Sequence, residues 1–178
     1  SALGKAQTCI RVTDPDGYAE TGYDAYEAFI SSSVDTSAWY VAVNAAKPLP
    51  HNLLVEFSSA TTITSFTMTS RNTTVRTTDP KEFTLYGSND NATWAPLSAQ
   101  TSITWTQNQT KTFTLSSAAT YKFYKLQITA ANSGTGTFVQ QMQLFNGTTA
   151  LVPTMPSAIY QTVGDSYFTH YMPQISIG

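Results

Sequence analysis

Charge is scarce in this sequence. Charged residues make up 11% of the 178, against about 25% in an average soluble domain. Nine Lys and Arg face eleven Asp and Glu, for a net charge of -2. The basic residues are scattered and form no stripe of the kind a phosphate backbone requires, which excludes nucleic acid as a partner. Lys122 and Lys125 come closest to a cluster and read as ordinary solvent-facing positions. Histidine is limited to His51 and His170, and cysteine to Cys9. A single thiol forms no internal disulfide and leaves the redox compartment open. A hydrolytic triad needs a base, yet His51 follows Pro50 in a connector and His170 lies near the C-terminus. A glycosidase needs two carboxylates facing one cleft, whereas the acids here are spread out, most of them in turns such as Asp14, Asp16, Asp79 and Asp90. These shortages predict a protein that is not an enzyme. No apolar run approaches the roughly 18 residues of a membrane helix, so no membrane span is predicted. The opening Ser1-Ala2-Leu3-Gly4 carries no signal peptide and reads as an internal cut or a processed end.

What the sequence has is 41% hydrophobic and 12% aromatic residues, with Thr, Ser, Asn and Gln supplying the polarity. A chain of this length suits one domain with a short appendage and buries roughly 70% of its unfolded surface. A surface of hydroxyls and amides suits a virion or extracellular setting. Sequons at Asn72, Asn91, Asn108 and Asn146 matter only in a eukaryotic secreted protein. From Leu53 to Phe145 the apolar pattern repeats every two residues: Leu53, Val55 and Phe57; Phe66 and Met68; Phe83 and Leu85; Phe113 and Leu115; Tyr124, Leu126 and Ile128; Met142 and Leu144. Alternation in β-branched and aromatic runs is the signature of half-buried strands. Turn clusters at Thr78-Asp79-Pro80, Gly87–Asn91, Gln107–Gln109, Asn132–Gly134 and Asn146-Gly147 separate them. The prediction is an all-β antiparallel jelly-roll sandwich over residues 1–150. Within residues 1–50, Asp14–Tyr18 is a turn, Tyr23–Ile30 suits one or two helical turns, and Lys47-Pro48-Leu49-Pro50 is a rigid connector. Residues 151–178 form an irregular extension interrupted by Pro153, Pro156 and Pro173 and crowded with Tyr160, Tyr167, Phe168 and Tyr171. It is a strap lying on the domain or an arm docking on a neighbouring subunit.

One stretch carries a resemblance. Asp79-Pro80-Lys81-Glu82-Phe83-Thr84-Leu85-Tyr86-Gly87-Ser88-Asn89-Asp90-Asn91-Ala92-Thr93-Trp94 resembles the central strands of discoidin-type domains, the coagulation-factor type C and galactose-binding-like group that includes carbohydrate-binding modules. Tyr121–Ile128 resembles the family's tyrosine-rich strand, and Gln141–Phe145 its closing strand. Ala28-Phe29, Trp39 and Leu54–Phe57 match early positions, so the likeness runs over roughly residues 20–147. The style is also that of bacteriophage tail and head proteins. The resemblance implies a galactose-binding-like fold with Trp39 and Trp94 in its core; Trp105 is either a surface platform or a packing residue.

The resemblance also implies where ligands sit: in loops at one end of the sandwich, where a ring packs on a sugar face and Arg and Asn grip hydroxyls. The candidates are Tyr40, Arg71, Asn72, Arg76 and Asn132. Each has an alternative reading as a solvated loop residue, or for the arginines as a guanidinium tying the loop to carbonyls. Calcium-binding members follow Ala-Phe with Asp-Gly and place a Glu in the last strand; here Ile30-Ser31 and Gln141 stand there. Two charged ligands of a hard cation are gone, so no cofactor is expected, with calcium held by Asp35 and backbone carbonyls as the reduced alternative. Gly134-Thr135-Gly136 precedes no helix and makes no phosphate cradle. The expectation is a non-catalytic virion structural or adhesion component at the virion surface or outside the cell. Its expected partners are a glycan or host-surface receptor, with neighbouring virion or homo-oligomer subunits met through residues 151–178. The alternative is the carbohydrate-binding module of a secreted or cell-surface protein or glycosidase.

Overall fold

The computed structural model describes residues 9–30 and 37–153. Nine strands follow in order: β1 (Cys9–Thr13), β2 (Trp39–Ala42), β3 (His51–Thr69), β4 (Pro80–Ser88), β5 (Ala95–Gln100), β6 (Thr110–Ala131), β7 (Gly136–Val139), β8 (Gln141–Asn146) and β9 (Thr149–Ala150). A 3-10 turn over Ala25–Phe29 precedes β2, within the stretch expected to be helical. Seven strands form one continuous antiparallel sheet in the order β5-β4-β6-β3-β8-β9, with β1 also on β3; β2 and β7 make a separate ribbon.

The sheet becomes a sandwich because β3 and β6 turn a corner. Their antiparallel register slips between Glu56 and Thr61 and again between Ile63 and Ser65. Bulges of this kind sharpen the bend of a strand. Before the corner β3 lies between β1 and the second half of β6; after it, β3 lies between β8 and the first half of β6. The Tyr124 hydroxyl holds the corner. It accepts the Tyr121 N–H at 3.0 Å and sits 2.5 Å from the Thr61 carbonyl and 2.9 Å from that of Ala119.

The alternating residues of the sequence meet between the layers. Leu53, Val55, Phe57, Phe66, Met68, Phe83, Leu85, Phe113, Leu115, Tyr124, Leu126, Ile128, Met142 and Leu144 all belong to one core. Phe66 stacks on Phe113 at 5.0 Å, and Phe83 meets Phe113 edge-on at 5.3 Å, the offset and T-shaped geometries aromatic rings favour. Trp39 and Trp105 are buried, and the Trp105 indole donates to the Pro80 carbonyl at 2.7 Å, so Trp105 packs and makes no platform. Trp94 differs from its expected place: it is half-buried and outside the core, because it precedes β5 on the outer side of the sheet with the Lys125 ammonium over its ring. Past β9, Leu151 donates its N–H to the Leu144 carbonyl, and Val152 packs into the core. The strap or arm expected beyond it falls on residues 154–178, outside the described residues.

Candidate functional site

The β2–β7 ribbon builds an aromatic cluster at the end of the sandwich where the β3–β4 and β6–β7 connections meet. Tyr40 pairs directly with Phe138 across the ribbon, with ring centroids 5.8 Å apart. Tyr23 joins edge-on, 5.6 Å from Tyr40 and 6.1 Å from Phe138. Its position follows from backbone bonds: the Tyr40 N–H donates to the Tyr23 carbonyl and the Glu20 N–H to the Tyr40 carbonyl. Gly136 is required beneath Tyr40. A Cβ there would lie 2.8 Å from the Tyr40 ring and 2.9 Å from the Val41 carbonyl oxygen. Phe138 is buried, whereas Tyr23 and Tyr40 are half-buried. The Arg71 guanidinium lies 4.7 Å over the Phe138 centroid, a cation–π contact.

The loop carrying Arg71 and Asn72 is held from within by Arg76. Its Nη1 donates to the Thr106 carbonyl at 3.0 Å and to the Ser70 hydroxyl at 3.3 Å; its Nη2 donates to the Arg71 carbonyl at 2.7 Å and also to the Thr73 carbonyl. The same Nη1 stands 3.2 Å from Oδ2 of Asp79, whose side chain is wholly buried. Burial pushes the Asp79 carboxyl up to about 6, against the opposing pull of Arg76 and Arg71. The loop is then stitched to its neighbours: Phe138 N–H to the Thr78 carbonyl, Ser133 N–H to Thr77, Asn132 N–H to Asp79, and Asn108 N–H to Arg71.

All five residues singled out in the sequence therefore gather at one end, in different situations. Tyr40 and Arg71 belong to the aromatic cluster. Asn72 stands beside it, accepting from Gln107 Nε2 at 3.2 Å and giving its N–H to Gln140 Oε1 at 3.4 Å. Arg76 is engaged with loop carbonyls, and the Asn132 amide donates to the Arg76 carbonyl at 2.9 Å. Tyr23, Phe138, Gln107 and Gln140 were missed. Phe138 carried one signal, a lone aromatic between Gly136-Thr137 and Val139-Gln140; Tyr23 had none beyond its residue type.

The described residues offer little to reactive chemistry. Burial pushes the Cys9 thiol up to about 12, far from a nucleophilic thiolate. His51 is buried between the Thr137 hydroxyl at 2.7 Å and the Lys47 carbonyl at 3.2 Å, and burial lowers its pKa. No three His, Cys, Asp or Glu among the described residues are grouped as metal ligands. The place expected for calcium is where the 3-10 turn meets β8, and there the Gln141 amide donates an N–H to the Ile30 carbonyl at 3.0 Å. A hydrogen-bond donor thus stands there in place of the carboxylate a hard cation favours; Asp35, named for the calcium alternative, lies outside the described residues. No helix among the described residues is long and apolar enough to cross a membrane.

The fold is that of known sugar-binding modules. The family 32 carbohydrate-binding module of NanJ from C. perfringens, solved with galactose, superposes with a TM-score of 0.62 at 19% identity, covering 78% of this chain and 98% of that one. A family 32 module from Clostridium perfringens, solved with GalNAc-β-1,3-galactose, gives 0.60 at 17% identity, covering 78% and 100%. The family 32 module of AlyQ, in complex with 4,5-unsaturated mannuronic acid, gives 0.62 at 15% identity, covering 78% and 96%. No curated protein matches the chain significantly. The sequence profile of the F5/8 type C domain matches residues 14–141. The tyrosine-held corner, the Gly87–Trp94 turn and the loop-borne aromatic end thus sit in a chain that belongs to the F5/8 type C, or discoidin-like, domain family.

Proposed function

We propose that this domain is a non-catalytic carbohydrate-binding module that takes a terminal pyranose at the loop end. One observation carries the reading: half-buried Tyr23 and Tyr40, with Arg71 stacked on Phe138, adjoin the amide side chains of Asn72 and Gln107. Such a ring face supports the apolar side of a sugar, while a guanidinium and amides supply paired hydrogen bonds to hydroxyls. The solved relatives bound to galactose and to GalNAc-β-1,3-galactose support the ligand class. In this reading Asn132 and Arg76 frame the loop and Tyr40, Arg71 and Asn72 meet the sugar. A glycan-binding role belongs at an extracellular or other exposed surface. The carbohydrate-binding module, the alternative in the sequence, is better supported than the virion component, for which the relatives supply no argument.

A glycan array followed by calorimetry tests it. Specific binding should be lost, at least tenfold, in Tyr40→Ala and Arg71→Ala while the melting temperature holds. Silence across the array, or binding unaffected by both changes, would overturn the assignment.

A further inference from the structure

The outer face of the sheet carries a second concavity that shares no residue with the loop-end cluster. It is about 290 Å³ in volume, and its walls include Asp16, Asn52, Leu54, Asn91, Trp94 and Lys125. The sheet register creates it. Lys125 of β6 lies between Leu54 of β3 and Tyr86 of β4, on the side facing away from the core. The turn before β5 brings Trp94 over this row, and the stretch after β1 brings Asp16 from the other side. Leu54, 5% exposed, is the apolar floor.

Three features define this pocket. Trp94 is half-buried, while Trp39 and Trp105 are buried. The Lys125 ammonium lies 4.2 Å from the Trp94 centroid and 5.5 Å from that of Tyr86, and no carboxylate among the described residues stands within ion-pairing distance of it. Asp16 is held at the rim by Asn52, whose Nδ2 donates to its Oδ2 at 2.7 Å, and Gln127 Nε2 in turn donates to Asn52 Oδ1 at 3.1 Å. The pocket thus presents one ammonium, one carboxylate, two amides and an indole wall, with no net charge. Donors and acceptors beside an aromatic surface suit a ring of hydroxyls with an apolar face. An anion would gain Lys125 and meet Asp16; a neutral polyol can use both.

We propose that this pocket is a second saccharide subsite, taking a neutral pyranose independently of the loop end. Two weak sites on one small domain would raise avidity for a branched or multivalent glycan.

The indole N–H signals in a nitrogen-15 spectrum test it. The wild-type domain and variants are titrated with methyl glycosides of galactose, glucose and N-acetylgalactosamine to about 10 mM, enough to saturate a site of millimolar affinity. The Trp94 signal should move saturably with at least one of them, and equally in Arg71→Ala, which removes the loop-end site. Lys125→Met should weaken that response about tenfold. Asn91→Gly removes the rim amide, keeps the left-handed turn at φ 57°, and should weaken it too should Lys125→Met not fold. A Trp94 signal that stays still with all three, or that responds only while Arg71 is intact, overturns the proposal. Failure of the loop-end reading appears separately, as an Arg71→Ala change without effect on array binding.

Discussion

Replacing Arg76 should cost stability first, and its effect on sugar should follow from that. Its guanidinium serves the carbonyls of Arg71, Thr73 and Thr106 and the Ser70 hydroxyl, and is the ion-pair partner of a carboxylate with no exposed surface. Arg76→Ala strands that carboxylate. Breaking a buried pair by removing one partner costs about 3–5 kcal/mol, and at about 3 °C per kcal/mol for a domain of this size the melting temperature should fall by roughly 10 °C. Arg76→Lys should recover only part, since one ammonium cannot reach that fan of acceptors. Adding Asp79→Asn to Arg76→Ala should return about 2 kcal/mol, because the uncompensated charge goes with it. Differential scanning calorimetry near pH 7.5 of these four proteins and of Asp79→Asn alone closes the cycle. An Arg76→Ala domain that melts within 1–2 °C of wild type (about 0.5 kcal/mol) yet no longer binds glycan would refute the reasoning and make Arg76 a ligand contact.

Gly136→Ala should displace the Tyr40 ring, because the new methyl would stand 2.8 Å from it; calorimetric titration should show at least several-fold weaker binding with a modest loss of melting temperature. Burial and Asp24 push the Glu27 carboxyl up to about 8, against about 4.3 in an unfolded chain. A folded-state value above the unfolded one gives stability that is full below about pH 4 and lost as pH rises through 8, with a ceiling of roughly 5 kcal/mol. Melting scans should therefore fall from pH 6 to pH 9 in wild type and run flatter in Glu27→Gln; parallel curves would contradict this. His51, its pKa lowered by burial, acts in the opposite sense, removing stability as pH drops below about 6.5. With Gln141 donating to the Ile30 carbonyl, neither EDTA nor millimolar calcium should move the melting temperature, and a calcium-dependent rise of several degrees would place a cation there after all.

The sandwich was legible because the core is written in a period of two: each of the fourteen alternating residues from Leu53 to Leu144 lies between the layers. The corner was not, since a bulge shifts register without leaving a turn residue behind, and β3 and β6 read as separate shorter strands. The candidate binding end was half legible. Arg71 and Asn72 stand in a loop that composition exposes, whereas the ring that seats Arg71 comes from Phe138, far along the chain, and Tyr23 arrives by backbone bonds that no local pattern announces. Trp94 was misjudged by position. A family core slot marks its place beside the sheet, but the side of the sheet depends on where the turn after Ser88 releases the chain.

Two strands that belong to both layers also set how the chain must assemble. Residues 51–69 can pair with β1 over Leu54–Phe57, but their long partner waits until residues 110–131 exist, and the first register pair of the two, His51 with Ile128, closes a loop of about half the domain. Pairings so distant along the chain delay the rate-limiting encounter. During synthesis the first half would leave the ribosome with its long strand matched only by β1 along one edge, the backbone donors of the other edge open to other chains until the tyrosine-bearing half follows.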